Sequence, residues 1–346
     1  MKFNQWLSLI VLAVCLYIVW QIRQVLLLAL TAVVFATVLN RAVGFLERRW
    51  RSPGDRRKYH QVAVVVVTLG VLLGLLIFGG LIVPPFVNQL QELNRITPQV
   101  VERLRNWIDS LRAMLPASML QGFQGLESLM QQLQSLQVGM LFGRFFALFS
   151  NTLTLTLNLL LVVAVTVMLL ASPRSYRQLF MRAFPASARS RVATVLDGCE
   201  NSITGWFTGI LFNMTVIGLM SMVGLWILGV PLAFANGLLA GLLAFIPNLG
   251  PVISVIPPAA IALLDTPWKA IAVIGLYIVI QQVESNFLTP MVMRKQVSLL
   301  PAVTLLSQVT FAIFFGFLGL FLALPLTLII QNWLEEFWVK GYLDQS

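Results

Sequence analysis

The residues best equipped for chemistry are Gln281-Gln282-Val283-Glu284-Ser285-Asn286, which close an apolar run that begins at Ala270. An ionised carboxylate at membrane depth is costly, so it faces a cavity or a partner and marks an ion or substrate pathway. At headgroup level the same carboxylate is simply solvated. Gln282, Glu284 and Asn286 are therefore the candidate polar or coupling residues, and Glu284 is the one that can titrate.

A second site candidate is made of backbone. The run from Phe234 to Leu264 is apolar, yet it contains Pro247, Pro251, Pro257 and Pro258. Each proline removes a backbone donor and clashes with the preceding turn. In hydrocarbon such a break is tolerated only where protein or a watery cavity surrounds it. The pieces Phe234–Ile246 and Val252–Leu264 would each be about 20 Å long as helices, against a bilayer core of roughly 30 Å. Either one broken helix crosses, or two half-helices form a re-entrant hairpin. Broken helices that meet at depth build the binding sites of many secondary transporters, whereas a simple proline kink binds nothing. Pro247, Asn248, Gly250 and Pro251 at the break are candidate pathway residues. The apolar region Ala302–Trp333 repeats the device with Gly316, Gly319 and Pro325.

These residues must be positioned by a membrane protein. The 346 residues are 58% hydrophobic and 10% charged, with a mean hydropathy of +0.87; a soluble domain carries about 25% charge. The net charge of +10 does not imply nucleic acid, because the basic residues sit in short stretches between apolar spans, where they set orientation and meet anionic headgroups. Cys15 and Cys199 are too far apart in character and sequence for a disulfide framework or a metal site. His60 is the only histidine and reads as an interfacial residue beside Arg57 and Lys58. No metal, cofactor or catalytic constellation is expected. No G-x-x-x-x-G-K-[ST] loop occurs, so any transport would draw on an ion gradient.

The expected fold is an all-α polytopic membrane protein. It has about 6–8 hydrophobic segments, two of them broken and able to form re-entrant hairpins, plus an extracytoplasmic amphipathic helical insert. Residues 1–88 form N-terminal membrane helices, among them a tight helix pair around Arg23, unless the first is a shallow interfacial helix, and a third span at Val62–Val87. Gly70 and Gly74 would permit close helix approach in that span, and Pro84-Pro85 would end or kink it. Residues 89–143 are amphipathic, with one seam from Leu90 to Met114, a helix start at Thr97-Pro98, and a second stripe from Leu120 to Leu136. Residues 144–172 form a span, 173–202 a basic loop, and 203–346 the C-terminal membrane region with the broken helices. Arg48, Arg49, Arg51, Arg56, Arg57 and Lys58 outnumber Glu47 and Asp55, which places that loop in the cytoplasm. With two spans before it, the N-terminus is cytoplasmic too. The first span lacks a clear cleavage site and is read as retained. If 234–264 re-enters, Arg294 and Lys295 are cytoplasmic, as the positive-inside rule favours.

Three stretches carry a resemblance. They are Leu228-Gly229-Val230-Pro231 leading through Phe245-Ile246-Pro247-Asn248-Leu249-Gly250-Pro251 to Ile256-Pro257; Val283-Glu284-Ser285-Asn286-Phe287-Leu288-Thr289-Pro290 with Leu299-Leu300-Pro301; and Phe315-Gly316-Phe317-Leu318-Gly319-Leu320-Phe321-Leu322-Ala323-Leu324-Pro325. In order and spacing across 228–325 the chain resembles the autoinducer-2 exporter family of bacterial permeases; residues before that agree in layout only. Arg294, Ser298 and Leu300 stand where the family pattern often has Gly, Gly and His, and Trp206 and Ile210 replace its tyrosine and glutamine. These departures bear on substrate more than on fold.

The resemblance implies a multi-pass exporter or permease of the bacterial inner membrane, acting on a small polar signalling molecule such as autoinducer-2. It also implies an H+ or Na+ coupling ion and a homo-oligomer, with a pentamer as one size. Some relatives look like cation/proton antiporters, so Na+(Li+)/H+ antiport through Glu284 is an alternative. A non-transporting membrane scaffold that captures a partner through the amphipathic insert is another. An enzyme is not expected.

Overall fold

A computed structural model describes residues 3–49, 56–114, 152–246, 249–288, 290 and 300–343. Among these no strand occurs, and the chain is an all-α polytopic membrane protein. Its helices are α1 (Phe3–Gln21), α2 (Arg23–Arg49), α3 (Arg56–Met114), α4 (Thr152–Ala171), α5 (Pro173–Arg182), α6 (Arg189–Ile227), α7 (Ala233–Leu243), α8 (Leu249–Ser254), α9 (Ile256–Asp265), α10 (Pro267–Val283) and α11 (Pro301–Leu334). π turns at Glu284–Leu288 and Glu335–Leu343 extend α10 and α11. Four stretches among the described residues are long and apolar enough to cross a bilayer, Arg23–Arg49, Ala186–Ile227, Pro267–Leu288 and Ala302–Lys340, and the bent pair Thr156–Ala171 and Pro173–Arg182 is a fifth candidate.

Helices α5, α10 and α11 all begin with proline, whose missing N–H is no loss at that position and whose fixed φ suits a first turn. For α10 the Thr266 side chain also accepts from the Lys269 N–H at 3.4 Å. Lys269 in turn pairs with Asp265.

The chain divides into two compact units. The first holds Met1–Val71, Leu153–Phe207 and Lys295–Ser346. Leu27 and Val34 of α2 pack there against Ile203 of α6 and Leu322 of α11. Leu28 and Ala32 meet Val162 of α4, and Ala36 and Val43 meet Ala63, Val64 and Val67 of α3. His60 fastens three helices in this unit. Its Nδ1 lies 2.5 Å from Glu47 Oε1 and its Nε2 lies 3.1 Å from the Leu170 carbonyl. It is a half-buried junction where the ends of these helices meet.

The second unit holds Leu72–Thr152 and Thr208–Arg294. Its core joins Ile217 and Leu225 of α6, Ala240 of α7, Ala262 of α9, and Val273, Tyr277 and Ile280 of α10. Small residues bring α6 and α7 together: a Cβ on Gly241 would lie 2.6 Å from the Met214 carbonyl and 3.1 Å from Gly218 Cα.

The elements differ from the sequence expectations in three places. Only Ile22 separates α1 from α2, and i→i−4 bonds run on both sides of it (Ile22 N to Ile18 O, Leu26 N to Ile22 O). A helix hairpin needs a loop of roughly 2–5 residues, so α1 leads on into α2 and the expected tight pair is absent. Next, α3 is one helix through Pro84, Pro85 and Pro98. Each proline lacks one backbone donor, yet the helix runs on past all three. Finally, Gly70 and Gly74 have nothing within 4 Å of a would-be Cβ among the described residues, so they mediate no close approach there. The second amphipathic stripe, Leu120–Leu136, lies outside the described residues, as do Arg51 and Asp55 of the basic loop.

Candidate functional site

The second unit places two helix faces against each other. On α10 and its π extension, Tyr277, Gln281 and Glu284 follow at steps of four and three, so they share a face. On α6, Asn213, Ile217 and Ser221 follow at steps of four. The faces run antiparallel, so that Asn213 meets Glu284 and Ser221 lies towards Tyr277.

Glu284 opens the π turn and is only 5% exposed. Single π turns are rare and recur at functional sites. Its two oxygens each accept from one amide: Asn213 Nδ2 donates to Oε1 at 3.4 Å, and Gln281 Nε2 to Oε2 at 3.3 Å. Both bonds are at the long end for N–H···O, and no cation pairs with Glu284 among the described residues. The Asn213 Oδ1 beside it is buried with no partner. Glu284 is thus enclosed by protein rather than openly solvated. What the arrangement can do is bind a proton or a small cation, or accept a hydrogen bond from a polar solute.

Two turns away lies a hydroxyl cluster. The Tyr277 hydroxyl faces Ser221 and Ser254, but neither it nor Ser221 Oγ closes a hydrogen bond of good geometry. Ser254 Oγ donates instead to the Pro251 carbonyl at 3.0 Å. This connects the α8 end of the break with the Glu284 face.

The expected residues separate accordingly. Gln282 and Asn286 are exposed on another side of the helix and bond to each other, Asn286 Nδ2 donating to Gln282 Oε1 at 3.0 Å. Gln281 takes the place expected of them. Pro247 and Asn248 lie outside the described residues. Gly250 and Pro251 are buried, and a Cβ on Gly250 would overlap the Leu243 carbonyl. In a straight helix residues seven apart are about 10 Å apart, so the chain turns back there. Helices α7 and α9 come into contact again, which an unbroken helix forbids. The chain thus bends back towards α7 at the first break.

Gly316, Gly319 and Pro325 belong to the other unit. The bend sits at Gly316 (φ 65°, ψ −146°), a conformation essentially restricted to glycine. A Cβ on Gly319 would overlap the Phe311 carbonyl, so this segment also folds back. Pro325 is buried within the helix that follows and does not make the break. In the same unit Gln308 is buried on the first half of α11, its Oε1 without a partner.

The sequence alone assigns no role to Asn213, Ser221, Ser254, Tyr277 or Gln308. A polar residue inside an apolar span was the available signal. Among the described residues, no group of three or more His, Cys, Asp or Glu side chains is placed to hold a metal ion.

Comparison with known sequences adds a second line of observation. The profile described as AI-2E family transporter matches residues 9–338. A Mycobacterium tuberculosis protein named as a transport protein is 27% identical over 340 residues, covering 94% of this chain and 88% of that protein. The AI-2 transport protein TqsA of Escherichia coli is 27% identical over 311 residues, covering 88% and 84%. YueF of Bacillus subtilis, also named as a transport protein, is 26% identical over 163 residues; that match spans 47% of this chain and only 44% of YueF.

Proposed function

Since the chain belongs to the AI-2E family of transporters, we propose that it is a secondary permease that exports a small, polar, hydroxylated metabolite such as autoinducer-2. The relationship to the AI-2 transport protein TqsA of Escherichia coli supports this substrate class. The observation that supports a coupled mechanism is Glu284, buried and held by two uncharged amides. A carboxylate so placed must be neutralised by a proton or cation to rest in hydrocarbon, and it is released from that partner when the pathway opens to water. Asn213 and Gln281 orient it, and the hairpin at Gly250 and Pro251 contributes backbone groups to the solute. The protein sits in the bacterial cytoplasmic membrane with its basic loops inside.

The test is export from proteoliposomes driven by a pH gradient. Glu284→Gln keeps size and hydrogen bonding but cannot titrate. Loss of the proton-acid/base function removes on the order of tenfold or more of the rate, with the elution profile of the purified protein unchanged. Export at the wild-type rate would show that Glu284 does not couple transport.

One observation favours a second reading. The unpartnered Asn213 Oδ1 and a carboxylate oxygen of neighbouring Glu284 would together offer two oxygen ligands to a monovalent cation, which suits Na+(Li+)/H+ antiport. Proton flux evoked by sodium or lithium and followed with a pH dye, present in the wild type and lost in Asn213→Ala, would select it.

A further inference from the structure

Helix α5 leaves α4 after the single residue Ser172 and at 91° to it. α4 is 20 residues long, apolar and free of charge, as a membrane-crossing helix must be. A helix that turns at a right angle from the end of a span lies along the membrane surface. Its rotation about its own axis is fixed. The Arg177 guanidinium donates to Asp197 Oδ1 at 2.7 Å and to the Ala193 carbonyl at 3.2 Å, both on α6. Arg177 and Met181 are the half-buried, protein-facing side.

That anchoring leaves two other faces with contrasting chemistry. Tyr176, Leu179 and Phe180 lie together on one, and they are 41%, 65% and 46% exposed. Arg174, Gln178 and Arg182, at steps of four, line the other. Among the described residues neither arginine pairs with a carboxylate, and none of the three apolar side chains is buried. An apolar stripe beside a basic stripe, in the plane of the membrane, is the build of an interfacial helix. Arg189 and Arg191 follow directly, which puts this end of the chain at the cytoplasmic leaflet, where the anionic lipids lie.

We propose that α5 is a docking element for anionic phospholipid headgroups. Tyr176, Leu179 and Phe180 insert below the headgroups, while Arg174 and Arg182 hold lipid phosphates. Because Arg177 ties α5 to α6, the lipid surface then bears on the start of a membrane-crossing helix. This assignment does not depend on what the protein transports.

The experiment uses the full chain with Cys15 and Cys199 replaced by serine and one cysteine introduced by Leu179→Cys, labelled with an environment-sensitive NBD fluorophore. The protein is reconstituted in phosphatidylcholine vesicles with and without phosphatidylglycerol. The expected result is quenching by shallow doxyl lipid and protection from aqueous iodide, with roughly twofold less iodide quenching when phosphatidylglycerol is present. A label placed by Gln178→Cys gives the reverse pattern. Adding Arg174→Gln and Arg182→Gln removes the phosphatidylglycerol effect. Iodide access to the 179 label in both vesicles, or equal signals with and without phosphatidylglycerol, overturns the proposal. Phe180→Cys reports the same face should the 179 variant fail to fold.

Discussion

Glu284 and His60 show two ways a polar side chain can sit between helices, and they respond differently to removal. His60 makes two contacts that join the ends of α2, α3 and α4. His60→Ala strands Glu47 and the Leu170 carbonyl at once, which costs about 1–3 kcal/mol. A fall in the unfolding temperature of the detergent-solubilised protein checks this. The Tyr277 and Ser221 hydroxyls are the opposite case, buried and without a well-formed bond. Removing a hydroxyl that makes no bond forfeits nothing and relieves a desolvation penalty. Tyr277→Phe and Ser221→Ala should therefore unfold at or above the wild-type temperature; a clear drop would mean those hydroxyls are bonded after all. At this scale the sequence was partly readable. Glu284 stood out because an acid in an apolar run is rare, but its partner Asn213 is 71 positions away, and the two contacts of His60 are 13 and 110 positions away. No local pattern carries such pairings.

Helices and their breaks were easier to foresee, since glycine and proline interrupt apolar runs for local reasons. Both expected breaks in the C-terminal half exist. Which residue bends was not foreseeable, because that depends on how the returning strand of helix packs. Of the three residues named in α11, Gly316 carries the non-helical backbone, whereas Pro325 lies in regular helix. In α3 three prolines bend nothing that ends the helix. Gly316→Ala forces an L-residue into that glycine-only region and costs about 1–3 kcal/mol. Pro325→Ala restores a helix donor and should be near neutral, with some loss of packing. Thermal unfolding of the two variants ranks them, and a larger drop for Pro325→Ala would put the hinge at the proline.

For the molecule as a whole, hydropathy and basic loops were sufficient to read an all-α multi-pass protein, because the bilayer imposes length and charge rules on any sequence that crosses it. They could not say whether an interrupted segment crosses or returns, since both options bury the same residues. The contact between α7 and α9 and the close approach of Gly250 to Leu243 favour return. If α7–α9 returns to the side where α6 ended, α10 then crosses, and the stretch between α10 and α11 emerges on the same side as α5. The positive-inside rule assigns that side, with its arginines, to the cytoplasm. A cysteine introduced by Lys295→Cys, in a chain with Cys15 and Cys199 replaced, should thus react with a membrane-impermeant maleimide only from the cytoplasmic face of oriented vesicles. Labelling from the outer face alone would require 234–264 to cross as a kinked span. It would also move the Gly250–Pro251 break from the mouth of a re-entrant loop to the middle of a crossing helix, where its backbone groups would need partners from neighbouring helices rather than from a solute.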